Sequence, residues 1–159
     1  QALASFSRNN YFVTIKVSWR GHGRTSDVRK ANQSSIHYGT LEHIKHSLAA
    51  LNYQYADMLL LTEPCDTCEA NVKQWRALEI AYMAGHARTI GLSNFCLYWL
   101  LCVWGNARIK PHVHHLHEHA NIQNPEDLYR WSADKGVFIM AIGAALELEV
   151  RFHREFFGR

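Results

Sequence analysis

A chain of 159 residues, 48% hydrophobic and 19% charged, has enough apolar material for one sizeable core and too little length for two comfortable domains. Its formal charge of +3 comes from scattered Lys and Arg without a basic run, which argues against a nucleic-acid or polybasic membrane surface. No apolar run approaches the roughly 20 residues of a membrane helix and no basic n-region precedes an apolar h-region, so a soluble cytoplasmic protein with one domain over 1–159 is expected. Four cysteines make no dense disulfide framework, and reduced thiols are the simpler reading. The first residues read like the tail of a helix already under way, so a piece of something longer is expected.

Short β-rich runs alternate with stretches of helical period, the mark of βα units around a parallel sheet. The first strand spans 11–17, and the polar stretch 18–39 reads as a long loop. Thr40 is the candidate N-cap of a helix whose apolar face is Leu41, Ile44, Leu48 and Leu51. A second strand, 56–61, precedes a helix with Trp75, Leu78 and Tyr82 on one face and Gly85 at its end; a third strand spans 87–92. The helix over 95–104 has no polar outer face, because Phe95, Leu97, Tyr98, Trp99, Leu100, Leu101, Val103 and Trp104 surround it. Such a helix requires cover, from the tail over 146–157 or from another chain, with intramolecular cover the simpler expectation. A fourth strand covers 111–117. Asn124 as cap, Pro125 at the first helical position, Glu126 and Asp127 in the first turn, Leu128 and Trp131 inward and Gly136 at the end then define a helix before a fifth strand, 137–142.

The segment Arg88-Thr89-Ile90-Gly91-Leu92-Ser93-Asn94-Phe95 runs a short apolar strand straight into a Ser-Asn pair at the mouth of a helix. Tyr11-Phe12-Val13-Thr14-Ile15-Lys16-Val17 lies upstream of it, and the stretch from Ile109-Lys110-Pro111 to Ala141 lies downstream. In these three pieces, and in their order, the chain resembles the aldo-keto reductases. The resemblance implies an eight-stranded (β/α) barrel that moves a hydride from NADPH to a small aldehyde or ketone. It also implies a tyrosine acid whose pKa is lowered by a neighbouring lysine. Lys16 matches that lysine, at a strand end where barrel enzymes gather their sites. Ser93 and Asn94 match the pair that hydrogen-bonds the nicotinamide carboxamide, which needs one donor and one acceptor. Asn94 also suits a helix cap. Asp57 fits the family pattern as structural support, and NADPH over NADH comes from the family alone.

Several positions depart from the family. Thr62 stands where a histidine would orient the carbonyl, with Glu63 beside it. His114 and His115 replace an asparagine-glutamine pair, so His115 takes the place of a carboxamide ligand, and Ile142 replaces a tyrosine that stacks on the nicotinamide. The family segments bearing the catalytic tyrosine and aspartate would precede Gln1, and the last strand would follow Arg159. The expected fold is therefore α/β, an incomplete parallel (β/α) barrel of the TIM type with about five βα units; an open doubly wound sheet is the alternative. Exposed edges would favour a homo-oligomer, through those edges or through the 95–104 helix.

Two other clusters carry chemistry. On a strand, His115, His117 and His119 would share one face and His112 and His114 the other, and two of them with a third or with a carboxylate such as Glu63 could hold a zinc ion. Cys65 and Cys68 invite a zinc or thiol reading, but Cys96 and Cys102 lie on roughly opposite faces of a helix, so incidental thiols are the simpler reading. Three functions follow: an NADPH-dependent reductase, a catalytically degenerate cofactor-binding or scaffold relative, and a metal-binding protein.

Overall fold

The run Ala56–Leu61 is buried at every position and apolar apart from Asp57, which suits a strand covered on two faces rather than one. The structure, a computed structural model, describes residues 6–18, 33–117 and 125–142. A short 3-10 turn, Arg8–Asn10, leads into β1 (Thr14–Val17), then α1 (Gln33–Leu51), β2 (Ala56–Leu61), α2 (Cys68–Met83), β3 (Ala87–Ser93), α3 (Leu97–Asn106), β4 (Val113–His117), α4 (Pro125–Lys135) and β5 (Phe138–Ile142). The strands lie side by side in chain order, and every neighbouring pair is parallel. Consecutive order with helical crossovers is the wall of a (β/α) barrel, whereas a doubly wound sheet reverses its order at a switch point. The doubly wound alternative is thereby excluded.

Alternation along the strands separates two faces. Ile15, Val17, Leu59, Leu61, Ile90, Leu92 and Leu116 pack with Ile44, Leu48, Trp75 and Leu78 of the helices into the main core. The opposite face carries a smaller cluster of Met58, Leu60 and Val113 with Met140 against it. Gly91 lies on that second face, in register with Leu60 and Val113. A Cβ there would overlap the Val113 carbonyl oxygen and come within 2.8 Å of Leu60 Cδ2, so only glycine lets β3 and β4 approach this closely.

Two helix ends follow local chemistry. Thr67 caps α2 by accepting from the Ala70 N–H at 3.2 Å, and Gly85, with φ +78°, ends it. Gly136 does the same for α4 with φ +69°, while Leu128 is buried and Trp131 half-buried; Asn124 lies outside the described residues. Thr40 is not an N-cap. It sits inside α1, its hydroxyl donating to the Ile36 carbonyl at 2.8 Å, so the helix reaches back into the stretch read as loop.

The cysteine reading is also corrected, because Cys68 and Cys102 form a disulfide with their Cα atoms 5.8 Å apart. Packing of α2 against α3 brings together residues 34 apart, a proximity that spacing along the chain does not reveal. Cross-linking at that separation restricts the unfolded chain by about 3–4 kcal/mol. Cys65 and Cys96 take no part in that disulfide.

Two buried carboxylates tie loops to this frame. Glu79 accepts from the backbone N–H groups of Arg108 and Ile109 at 2.6 and 2.9 Å and pairs with Arg76 at 2.6 Å, fixing the turn between α3 and β4. Asp57 accepts from the Val13 N–H at 2.8 Å and from Arg8 at 2.6 Å, with Arg88 at 3.5 Å. The two guanidinium groups also lie 4.4 Å from the Tyr55 ring centre. Burial alone would raise the Asp57 pKa, but the Val13 N–H and the two arginines outweigh it and hold the carboxyl below the usual carboxylate range.

Two outcomes are expected. Gly91→Ala destabilises the fold by about 1–3 kcal/mol in chemical denaturation; an unchanged midpoint would show that β3 and β4 do not need the close approach. Asp57→Asn costs about 2–3 kcal/mol at neutral pH. Because the folded pKa is lowered, the contribution of Asp57 is present above the ordinary value of 3.8 and is lost as pH falls through the folded value. Thermal melts between pH 5 and 2, as about a four-point series, should converge for the two proteins at the acid end.

Candidate functional site

The face away from the main core is where the sequence-derived residues meet. By register, Lys16 lies opposite Leu60, Ser93 opposite His115, His115 opposite Met140, and His117 opposite Ile142. Lys16 is exposed on β1, and with Thr14, His46, Ser47, His115 and Met140 it lines an open cleft of about 660 Å³. That volume falls in the range of small-molecule sites. Ser93 is fully buried, and its hydroxyl lies 3.2 Å from His115 Nδ1. Lys16 and His115 thus share one cleft, and Ser93 is joined to it through the imidazole. The side chains of His117 and Ile142 lie outside the described residues.

Asn94 ends β3 in the left-handed region, φ +58°, with its N–H donating to the His115 carbonyl at 2.9 Å. An Asn accepts this backbone more readily than most residues. It is not the cap of α3: the helix starts at Leu97, its N-cap position is Cys96, and no side chain caps it there. The conformation therefore serves the turn at the strand end. Thr62 hydrogen-bonds through its hydroxyl to the Val17 carbonyl at 3.1 Å, so this polar group is engaged by the backbone of β1.

The histidine-rich strand divides as alternation requires. His112 packs against the Tyr82 ring, with Nδ1 accepting from the Ile90 N–H at 3.2 Å, while His115 points to the cleft side. His114 is 0% exposed, and neither ring nitrogen completes a hydrogen bond among the described residues. Burial, helped by neighbouring His115 and opposed more weakly by the Phe95 backbone, pushes its pKa down to about 4. Among the described residues no three His, Cys, Asp or Glu side chains gather to hold a metal ion; His119 lies outside them. Likewise, no helix among them is long and apolar enough to cross a membrane.

The family model "Aldo/keto reductase family" matches residues 1–146, and the chain belongs to that family. Among relatives, it is 29% identical over 151 residues to the uncharacterized oxidoreductase YtbE of Bacillus subtilis, covering 94% of this chain and 48% of that protein. It is 31% identical over 120 residues to the glyoxal reductase of the same organism, covering 76% and 38%. With the NAD(P)H-dependent D-xylose reductase of Scheffersomyces stipitis it shares 32% identity over 158 residues, covering 84% and 45%. The chain therefore spans about half the length of the curated relatives it matches, or less. Its fold matches MGS-M4, an aldo-keto reductase from a deep-sea metagenome library, with TM-score 0.72 at 24% identity over 94% of this chain and 49% of that one. It also matches the Bombyx mori aldo-keto reductase in complex with NADP, with TM-score 0.67 at 23% identity over 89% and 44%. These neighbours place the five parallel strands as part of a TIM barrel.

The sequence did not single out Met140, His46 or the full burial of His114, since each follows from which elements curl or pack together. For His114 the sign is the same as for Asp57, over a higher pH interval. An unfolded histidine takes up its proton near 6.5, the folded one near 4, so stability falls as pH drops through that interval and no further below it. His114→Leu should flatten this decline by up to about 1.4 kcal/mol per pH unit, measured by urea unfolding at several pH values. Parallel curves for the two proteins would show that His114 titrates normally.

Proposed function

We propose that this chain supplies the nicotinamide-binding wall of an NADPH-dependent reductase of small aldehydes or ketones, folded as one cytoplasmic domain over 1–159. The observation that carries the reading is the cleft shared by Lys16 and His115, with Ser93 hydrogen-bonded to His115. The donor set fits a carboxamide: the hydroxyl of Ser93, the imidazole of His115 and the side-chain amide of Asn94 can present the donor and acceptor that such a group needs. Ile142, two residues beyond Met140 and in register with His117, would give the ring apolar contact in place of stacking. When bound, the cofactor supplies the hydride for the carbonyl carbon. Lys16 is the cation that stabilises the deprotonated form of the family's tyrosine acid, which eases proton transfer to the carbonyl oxygen. The reading is supported by relatives named as glyoxal and NAD(P)H-dependent xylose reductases and by a structural neighbour solved with NADP. Open strand edges among the described residues, with Tyr98 and Leu101 exposed on α3, support self-association.

A second reading, a relative that binds the cofactor without turnover, is favoured by Thr62. Its hydroxyl is engaged by Val17, and the strand end offers no imidazole to orient a carbonyl.

Titration with NADPH, followed by fluorescence of the five tryptophans, tests both. Saturable quenching is expected, weakened about fivefold by Ser93→Ala through loss of a hydrogen bond worth about 1 kcal/mol. Lys16→Met should leave the affinity close to that of the parent and lower kcat on a simple aldehyde by about 100-fold or more. Absence of saturable binding rejects the cofactor reading. Binding with no turnover by the parent protein selects the second reading.

A further inference from the structure

We infer that the Cys68–Cys102 disulfide is a redox-responsive clamp on the segment that carries Ser93 and Asn94, opened by a dithiol reductant. Cys68 is the first residue of α2, entered from the strand end that carries Thr62, and Cys102 lies in the middle of α3, entered directly from Asn94. One covalent bond therefore joins the helices that follow two neighbouring strand ends on the cleft rim. Apart from that bond, α3 is anchored along one face only. Of the ten residues of α3 only Leu100 and Val103 are buried, Tyr98 and Leu101 are 68% and 44% exposed, and the N-terminus has no side-chain cap. At its far end the Trp104 ring meets Trp131 of α4, the Lys110 ammonium bonds the Trp104 carbonyl, and Arg76 of α2 donates to the Asn106 carbonyl at 2.7 Å.

Both bonded cysteines are half-buried rather than sealed in the core, so a thiolate can reach them. Disulfides that persist in a reducing compartment are redox-sensing or catalytic rather than static. The exchange balances as follows. One thiolate of the reductant attacks a sulfur, the Cys68–Cys102 bond breaks and a mixed disulfide forms. The second thiol of the reductant displaces the remaining sulfur. Cys68 and Cys102 leave as thiols having gained two electrons and two protons, and the reductant leaves as its disulfide.

The link to the cleft is short. Asn94 holds a left-handed backbone with its N–H on the His115 carbonyl, and Ser93 bonds the His115 ring, so freedom gained by α3 reaches both contacts within a few residues. Loss of order there weakens a cofactor held by Ser93 and Asn94; this arm rests on the NADPH reading, and the clamp itself does not.

The protein purified without reductant should show two titratable thiols after unfolding, Cys65 and Cys96, and four after treatment with dithiothreitol. Reduction should lower Tm by roughly 5–10 °C and speed amide hydrogen exchange in α3 by roughly tenfold or more relative to α2 and β2. NADPH affinity should fall several-fold on reduction and be restored by reoxidation. Cys102→Ser should match the reduced protein and ignore dithiothreitol; Cys96→Ser should respond like the parent. Four thiols before reduction, or unchanged α3 exchange after it, overturns the clamp. If NADPH binds in neither state while α3 exchange still responds, the clamp stands and the cofactor reading fails.

Discussion

Strands β3 and β4 come together closely because residue 91 has no side chain to separate them, and the resulting register sets Ser93 opposite His115. Everything placed at the cleft depends on that alignment. A slip of one residue would send His115 into the main core and bring His114 to the cleft, exchanging every inward side chain for an outward one. Alternation on β1 and β5 then determines that Lys16 and Met140 join His115 rather than Leu59 and Leu61.

The same alignment separates roles within the histidine-rich strand. His112 and His114 belong to the helix-covered side, one satisfied by the Ile90 N–H and a tyrosine ring, the other neutral and without a completed hydrogen bond among the described residues. His115 belongs to the cleft. A sequence with this many imidazoles in succession reads as a metal site, yet strand geometry disperses them across two surfaces, and no cluster capable of holding a metal forms among the described residues.

Much of the fold was legible because it rests on local chemistry and period. The five strands were placed within a few residues, and Gly85, Gly136 and the inward Leu128 and Trp75 behave as pattern alone implies. Parallel order also followed from the alternation of strand and helix. The errors share a cause in tertiary packing. Thr40 looked like a helix start because Thr caps well, but packing of Ile36 and Ile44 extends α1 past it, and its hydroxyl turns back to a carbonyl. Cys68 and Cys102 looked unrelated because their proximity depends on how α2 lies against α3. Glu79 gave no signal either, since a glutamate in a helix is ordinarily a solvated residue, and here it receives two backbone N–H groups from a distant turn. The site was legible only in part: Lys16, Ser93 and Asn94 stood out by their order along the chain, whereas the contact between Ser93 and His115 required the register.

The central claim is that the cleft side of the sheet, and not the helix-covered side, receives the nicotinamide. Histidine side-chain NMR with selectively labelled protein addresses it directly, because His112, His114 and His115 are near in sequence and lie on different faces. On addition of NADPH the account predicts a saturable change in the His115 ring resonances, with those of His112 and His114 nearly still. A response at His112 or His114 with His115 unmoved would contradict it.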